Sequence, residues 1–337
     1  MSKSSGIISK QFTSFLVFAA FISALACSNQ PQATDFDPLP SWNEGVAKQQ
    51  IIQFVEEVTN PDSSKYVSPE QRIATFDNDG TLWAEKPLYF QVLFAFDLVK
   101  EMVEADPSLK EKEPFRAILS GEKEAIAKFS HEDLLSGLIG THVDMTNEEF
   151  VKKAEDWLGT EKHSRFNRLY TECVYQPMLE LLDYLHENDF QTWICSGGGV
   201  EFMRIFSEEV YGIPPERVIG SSVEMEFKDT PQGPVFYRKA ELNSFNDKEV
   251  KPVNILLHIG RQPILAFGNS DGDIEMLQYT ARQDLPYLNL LLHHDDEERE
   301  YSYTKGTEKA LELAEEHKWT VIYISKDFKV VFPFDKE

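Results

Sequence analysis

Hydrophobic positions along this chain follow two rhythms. Short unbroken apolar runs at 73–76, 190–195, 264–267, 287–292 and 320–324 have the length and composition of strands buried on both faces. Between them, apolar residues recur at three- and four-residue spacing. Val46, Ile51, Phe54, Val55 and Val58 predict a helix over 44–58, and the same spacing predicts helices over 200–210, 253–259, 274–279 and 308–317. Segments 221–227 and 235–238, split by Pro231-Gln232-Gly233-Pro234, read as a hairpin. The alternation defines an α/β chain with a parallel sheet.

One stretch departs from it. From 86 to 188 the pattern is helical almost throughout, with helices expected over 88–103, 115–119, 132–139, 148–158 and 177–186. Thr146 and Glu149 have capping-box spacing, and Pro177 suits a first helical turn. So long a block between two buried strands exceeds a single crossover. The expected organisation is a Rossmann-like α/β core over 44–85 and 189–337, with an inserted all-helical cap over 86–188.

Three predicted strands end in polar chemistry. The first runs into Asp77-Asn78-Asp79-Gly80-Thr81. Asp77 and Asp79 share a face while the chain stays extended, and two carboxylates that close call for a cation or a shared proton. A hard metal such as Mg²⁺ meets that need; an acidic Asp-Gly turn is the plainer alternative. Neither Gly80 nor Gly272 fits an EF-hand, because Thr75 and Phe267 stand where the first acidic ligand belongs. The second strand meets Ser196-Gly197-Gly198-Gly199 and then a predicted helix, an arrangement suited to anions. The third ends in Gly268-Asn269-Ser270-Asp271-Gly272-Asp273, preceded by Lys248 and Lys251.

Composition narrows the partners. The 337 residues carry 57 acidic and 33 basic side chains, a net charge of -24, so nucleic acid is not an expected partner. Lys3 and Lys10 precede an apolar run over 12–26 too short for a comfortable membrane span, and the expectation is an export signal over 1–26. Its end, Ser23-Ala24-Leu25-Ala26-Cys27, resembles the lipobox of bacterial lipoproteins, although Ala24 stands where Leu is preferred. That resemblance implies lipidation at Cys27, a membrane anchor through a proline-containing tether over 27–43, and a location at the cell envelope facing the periplasm. Cys173 and Cys195 make no disulfide framework.

Taken together, the motifs resemble the haloacid dehalogenase superfamily, in its phosphoserine-phosphatase-like branch. Asp77-Asn78-Asp79-Gly80-Thr81, Ser196-Gly197-Gly198, a lysine at Lys251 or Lys248, and the Gly268–Asp273 turn match its four motifs in order. The resemblance implies a phosphomonoester hydrolase using Mg²⁺. Asp77 would be the nucleophile and Asp79 the general acid and base. Ser196, Gly197 and Lys251 would hold phosphate, with the metal on Asp77, Asp79, Asp273 and Asn269. The chain departs from the family at Asn269, where an aspartate is usual; Asp273 is the expected leading ligand of that turn, with Asn269 close behind and Asp271 a third candidate. Trp83 and Glu85, with Tyr89, stand where the family places substrate contacts.

His293 and His294 follow a strand and read as a solvated strand end, with approach to the site or metal binding as the alternative; Arg165, Arg168 and Arg204 read equally as phosphate-steering charges or as surface salt bridges. The functional expectation is a phosphatase for small phosphorylated metabolites. Its alternatives are a phosphocholine-type phosphatase and a non-catalytic binding lipoprotein.

Overall fold

The computed structural model describes residues 37–112, 115–120 and 145–336. The expected signal, Cys27 and the helix expected over 132–139 lie outside them. The chain divides into two units at Asp37, and the fold described is that of the unit from Pro38 onward.

Seven strands form one sheet: β1 Ile73–Phe76, β2 Gln191–Gly199, β3 Val218–Thr230, β4 Gly233–Ser244, β5 Leu265–Gly268, β6 Leu288–His293 and β7 Thr320–Tyr323, in the order β4-β3-β2-β1-β5-β6-β7. All neighbours are parallel except β3 and β4, which form the hairpin. β1 is central, with Phe76 opposite Ile194 on one side and Phe267 on the other. Those three side chains are fully buried, as four-residue strands without alternation require. Because the chain winds outward from β1 in both directions, the topological switch falls at its carboxyl end, where α/β sheets bind ligands.

Helices cover the sheet: α1 Val46–Thr59, α5 Gln176–Glu187, α8 Val250–Ile259, α9 Ile274–Ala281 and α10 Glu308–His317. The insertion carries α2 Phe90–Ala105, α3 Phe115–Ser120 and α4 Asn147–Leu158, the last opened by the Thr146–Glu149 capping box. Phe94, Phe150, Trp157 and Phe202 pack ring against ring and join it to the core.

Four expectations are corrected. The insertion leaves and returns where Ala84 donates to Cys173 and Tyr175 to Leu82, well before residue 188; α5 packs on β2 and belongs to the core. The tether does not reach residue 43, because Leu39 and Trp42 are buried and the Trp42 indole donates to the Pro177 carbonyl. β2 continues through Gly199, and the helix expected over 200–210 is two five-residue pieces, α6 Val200–Arg204 and α7 Ser207–Tyr211. The hairpin is longer than its apolar core, since backbone pairing carries it through the polar residues 228–234.

Candidate active site

Each strand around the switch point contributes side chains to one cleft. From β1 and the loop after it come Asp77, Asp79, Glu85 and Tyr89. β2 adds Ser196, Gly197 and Gly198, and Asp247, Lys251 and Ser270 complete the lining.

Asp77 is reached because the β1–β5 ladder runs one step past the strand, Asp77 N–H donating to the Phe267 carbonyl at 2.9 Å. Gly80 then turns the chain at φ 76, a left-handed conformation that glycine adopts without strain. Ser196 is set differently. The β2–β3 register slips between Cys195 and Gly199, so Ser196 to Gly198 leave the regular ladder. Asn246 donates to the Ser196 carbonyl and the Ser221 hydroxyl to the Gly197 carbonyl, which fixes the bulge. The candidate anion-binding segment is therefore a strand bulge, followed at Val200 by a helix of only five residues.

Lys251, in the first turn of α8 and 2% exposed, reaches Asp77 Oδ1 at 2.9 Å and Asp273 Oδ1 at 2.5 Å. Lys248 lies in the turn before the helix, at φ 50. Asp273 is fully buried, and its second oxygen accepts from the Asn269 and Ser270 amides. The Asp273 oxygens thus hold Lys251 and close the 268–273 turn. Asp271 accepts from the Ala310 amide at 2.8 Å.

Trp83, expected at the substrate, is buried, and its indole donates to Asp79 Oδ1 at 2.8 Å while its ring stacks on Phe206. It orients the proposed acid. Glu85 is 5% exposed and pairs with Lys86, whose ammonium lies over the Tyr303 ring.

For His294 the structure favours the alternative of approach to the site over the solvated strand end. It is buried, with Nδ1 at 3.0 Å from Glu300 and Nε2 at 2.8 Å from the Gly80 carbonyl, so it clamps the turn after Asp79. Its place at the end of β6 was the available signal; its partner six residues on was not. Gln91 was missed altogether: from the start of α2 its amide oxygen accepts from Gly199 N–H at 2.7 Å, tying cap to bulge. The arginines are occupied elsewhere, Arg165 on the Glu297 and Glu298 carbonyls, Arg168 near Glu172 and Arg204 near Glu201.

The electrostatics describe a site short of positive charge. Burial pushes Asp77 up to about 8; Lys251 opposes the rise, while Asp273 and Asp79 add to it. Burial pushes Asp79 up to about 7 against the Trp83 hydrogen bond. Burial alone would lower Lys251, but Asp273 and Asp77 outweigh it and keep the ammonium charged. Lys251, the buried cation of the cleft, thus faces Asp77, Asp79, Glu85 and Asp273.

Two observations test whether a metal fits. Asn269 is 1% exposed, and its Nδ2 has no partner while Oδ1 accepts from Thr81 at 3.2 Å. Exchanging the two ends of that amide gives Thr81 a donor and leaves a bare carbonyl oxygen in the unpaired position. That position overhangs Gly80, where a Cβ would clash with the Asn269 amide and come within 2.9 Å of Glu85 Cδ. Among the described residues no three His, Cys, Asp or Glu side chains are arranged as a metal cluster. A cation here would rest on mixed oxygens, including Asp77 and the Asn269 amide, a hard set that suits Mg²⁺. The residues fit it.

The family model of haloacid dehalogenase-like hydrolases matches residues 74–278. The chain belongs to that family, and it is a hydrolase by family. A functionally unknown protein from Anaerococcus prevotii superposes with TM-score 0.50 at 14% identity, over 82% of this chain and 91% of that one. A protein of unknown function from Bordetella pertussis Tohama I gives 0.48 at 14%, over 75% and 98%. A phosphoserine phosphohydrolase-like protein from Francisella tularensis gives 0.41 at 17%, over 74% and 94%. No curated protein matches this chain in sequence.

Proposed function

We propose that this protein is a Mg²⁺-dependent phosphomonoester hydrolase that works through an aspartyl-phosphate. The observation that carries the reading is the buried contact of Lys251 with Asp77 at the end of the central strand, facing Ser196 and Gly197 across the cleft.

Asp77 is held by one oxygen to Lys251, and its other oxygen attacks phosphorus. The bond to the leaving oxygen breaks as Asp79 donates a proton to it. Burial keeps Asp79 protonated to about pH 7, which suits that role. Asp79, now a carboxylate, takes a proton from the water that attacks the aspartyl-phosphate. Phosphate is released and Asp77 regenerated. The Ser196 hydroxyl, the Gly197 amide and Lys251 stabilise the phosphoryl oxygens through both steps. Mg²⁺, held by Asp77 and Asn269, would neutralise charge on the phosphoryl group. A substrate with a cationic head group is a second reading, supported by Tyr89 and Asp247 at the cleft wall.

The test is hydrolysis of an aryl phosphate by the chain from Ser28 onward, with Mg²⁺ or chelator. Turnover should require the metal and fall at least ~10³-fold in Asp77→Asn. Folded protein with no turnover on this and a panel of natural phosphomonoesters would favour a binding lipoprotein. The proposal places the enzyme outside the cytoplasm on a lipid anchor at Cys27; Cys27→Ala should move it from the membrane to the soluble fraction.

A further inference from the structure

The residue that the 268–273 turn brings over Gly80 is the neutral Asn269. A cation held there by an amide oxygen and Asp77 alone would be bound weakly, yet two further acids line the cleft, Glu85 and Asp247. They are not equivalent. The Asp247 carboxylate is packed against Gly272, where a Cβ would collide with its Oδ1, rather than against Gly80 and Asn269. Glu85 lies over Gly80, in the same space toward which the unpaired end of the Asn269 amide points.

The Glu85 carboxyl is also held. Lys86 takes Oε1 at 2.9 Å, and the Lys86 ammonium is itself fixed at 4.0 Å above the Tyr303 ring. Tyr303 stacks on His294 at 4.5 Å, and His294 clamps the Gly80 carbonyl. Glu85 and the turn beneath it are thus set by one connected group of side chains, with the Glu85 carboxyl carbon 2.9 Å from where a Cβ on Gly80 would stand.

We propose that Glu85 supplies a metal-binding carboxylate over Gly80, beside the amide oxygen of Asn269, which brings no charge of its own. The proposal rests on the metal-dependent reading above. It makes Glu85 a cation ligand and leaves the recognition of any positively charged substrate group to other residues.

The test is Mg²⁺ binding by titration calorimetry on substrate-free protein, with thermal melts to establish folding. Glu85→Gln should weaken Mg²⁺ at least tenfold, and adding Asn269→Asp in the same chain should restore most of the loss, because the charge returns by the other route. Asn269→Asp alone should tighten binding or leave it unchanged. Wild-type affinity in Glu85→Gln, or no rescue in a folded double variant, would overturn the proposal while leaving the phosphatase reading intact. Absence of Mg²⁺ binding by the wild type would overturn both. A Glu85→Gln chain that fails to fold alone is decided by the double variant, where recovery of the melt only with Mg²⁺ supports the proposal and recovery without it rejects it.

Discussion

Asp79 acts through its neighbours. Two forces set its proton affinity: burial raises it and the Trp83 indole lowers it. Trp83→Phe keeps the ring stacked on Phe206 and removes only the donor. The alkaline limb of the kcat profile should therefore move to higher pH, with kcat at neutral pH falling about tenfold as the acid loses its orientation. A profile superimposable on the wild type would show that Trp83 merely packs. Lys251→Met should cost more in stability, about 3–5 kcal/mol, because it strands Asp77 and Asp273 in the interior with no cation. Chemical denaturation measures the difference. The Asp-x-Asp spacing and the glycine after it could be read as chemistry before any fold was known. The partition of labour between Asn269 and Asp273 could not, since it depends on which side of a six-residue turn Lys251 approaches.

Among the elements, β2 and β3 do most to shape the site. Their slipped register lets Ser196 to Gly198 face the cleft, and it brings Gly220 of β3 against the bulge. A Cβ at Gly220 would meet the Gly198 carbonyl at 2.7 Å and the Val200 amide at 2.9 Å, both main-chain atoms with little freedom to move. Gly220→Ala should cost about 1–3 kcal/mol in a urea melt and lower kcat as Ser196 shifts. No loss in either would mean that the bulge adapts. Periodicity located both strands and their polar ends but reported a helix directly after Ser196. Helical spacing of apolar residues is satisfied across the 200–210 segment even where the backbone breaks at Ile205 and Phe206, so the break had no local signature.

For the molecule as a whole, the buried acids make stability depend on pH. Asp77 and Asp79 bind protons more tightly folded than unfolded, where a carboxyl titrates near 3.8. Their contribution is present below about pH 4 and is lost as pH rises toward 7–8, because the folded chain must then carry buried negative charge that Lys251 only partly offsets. Metal-free protein should accordingly melt at lower temperature at pH 8 than at pH 5, and Asp79→Asn should reduce that difference. Mg²⁺ should oppose the fall at pH 8, where it binds the ionised form. A pH-independent melt in chelator would contradict the raised acids.

The α/β class, the helical insertion and the three polar strand ends were legible in the chain because they depend on local rhythm. Strand-length apolar runs are buried wherever they occur, and a turn of Asp, Gly and Ser at their ends has few other uses. Everything requiring two distant segments to meet was decided by tertiary packing. Lys251 was chosen over Lys248 by the placement of α8 against β2, and Trp83 was turned onto Asp79 by the stacking of Phe206. His294 reached Gly80 across 214 positions of sequence. Such contacts follow from the order of strands in the sheet, and a linear pattern of hydrophobicity carries no record of that order.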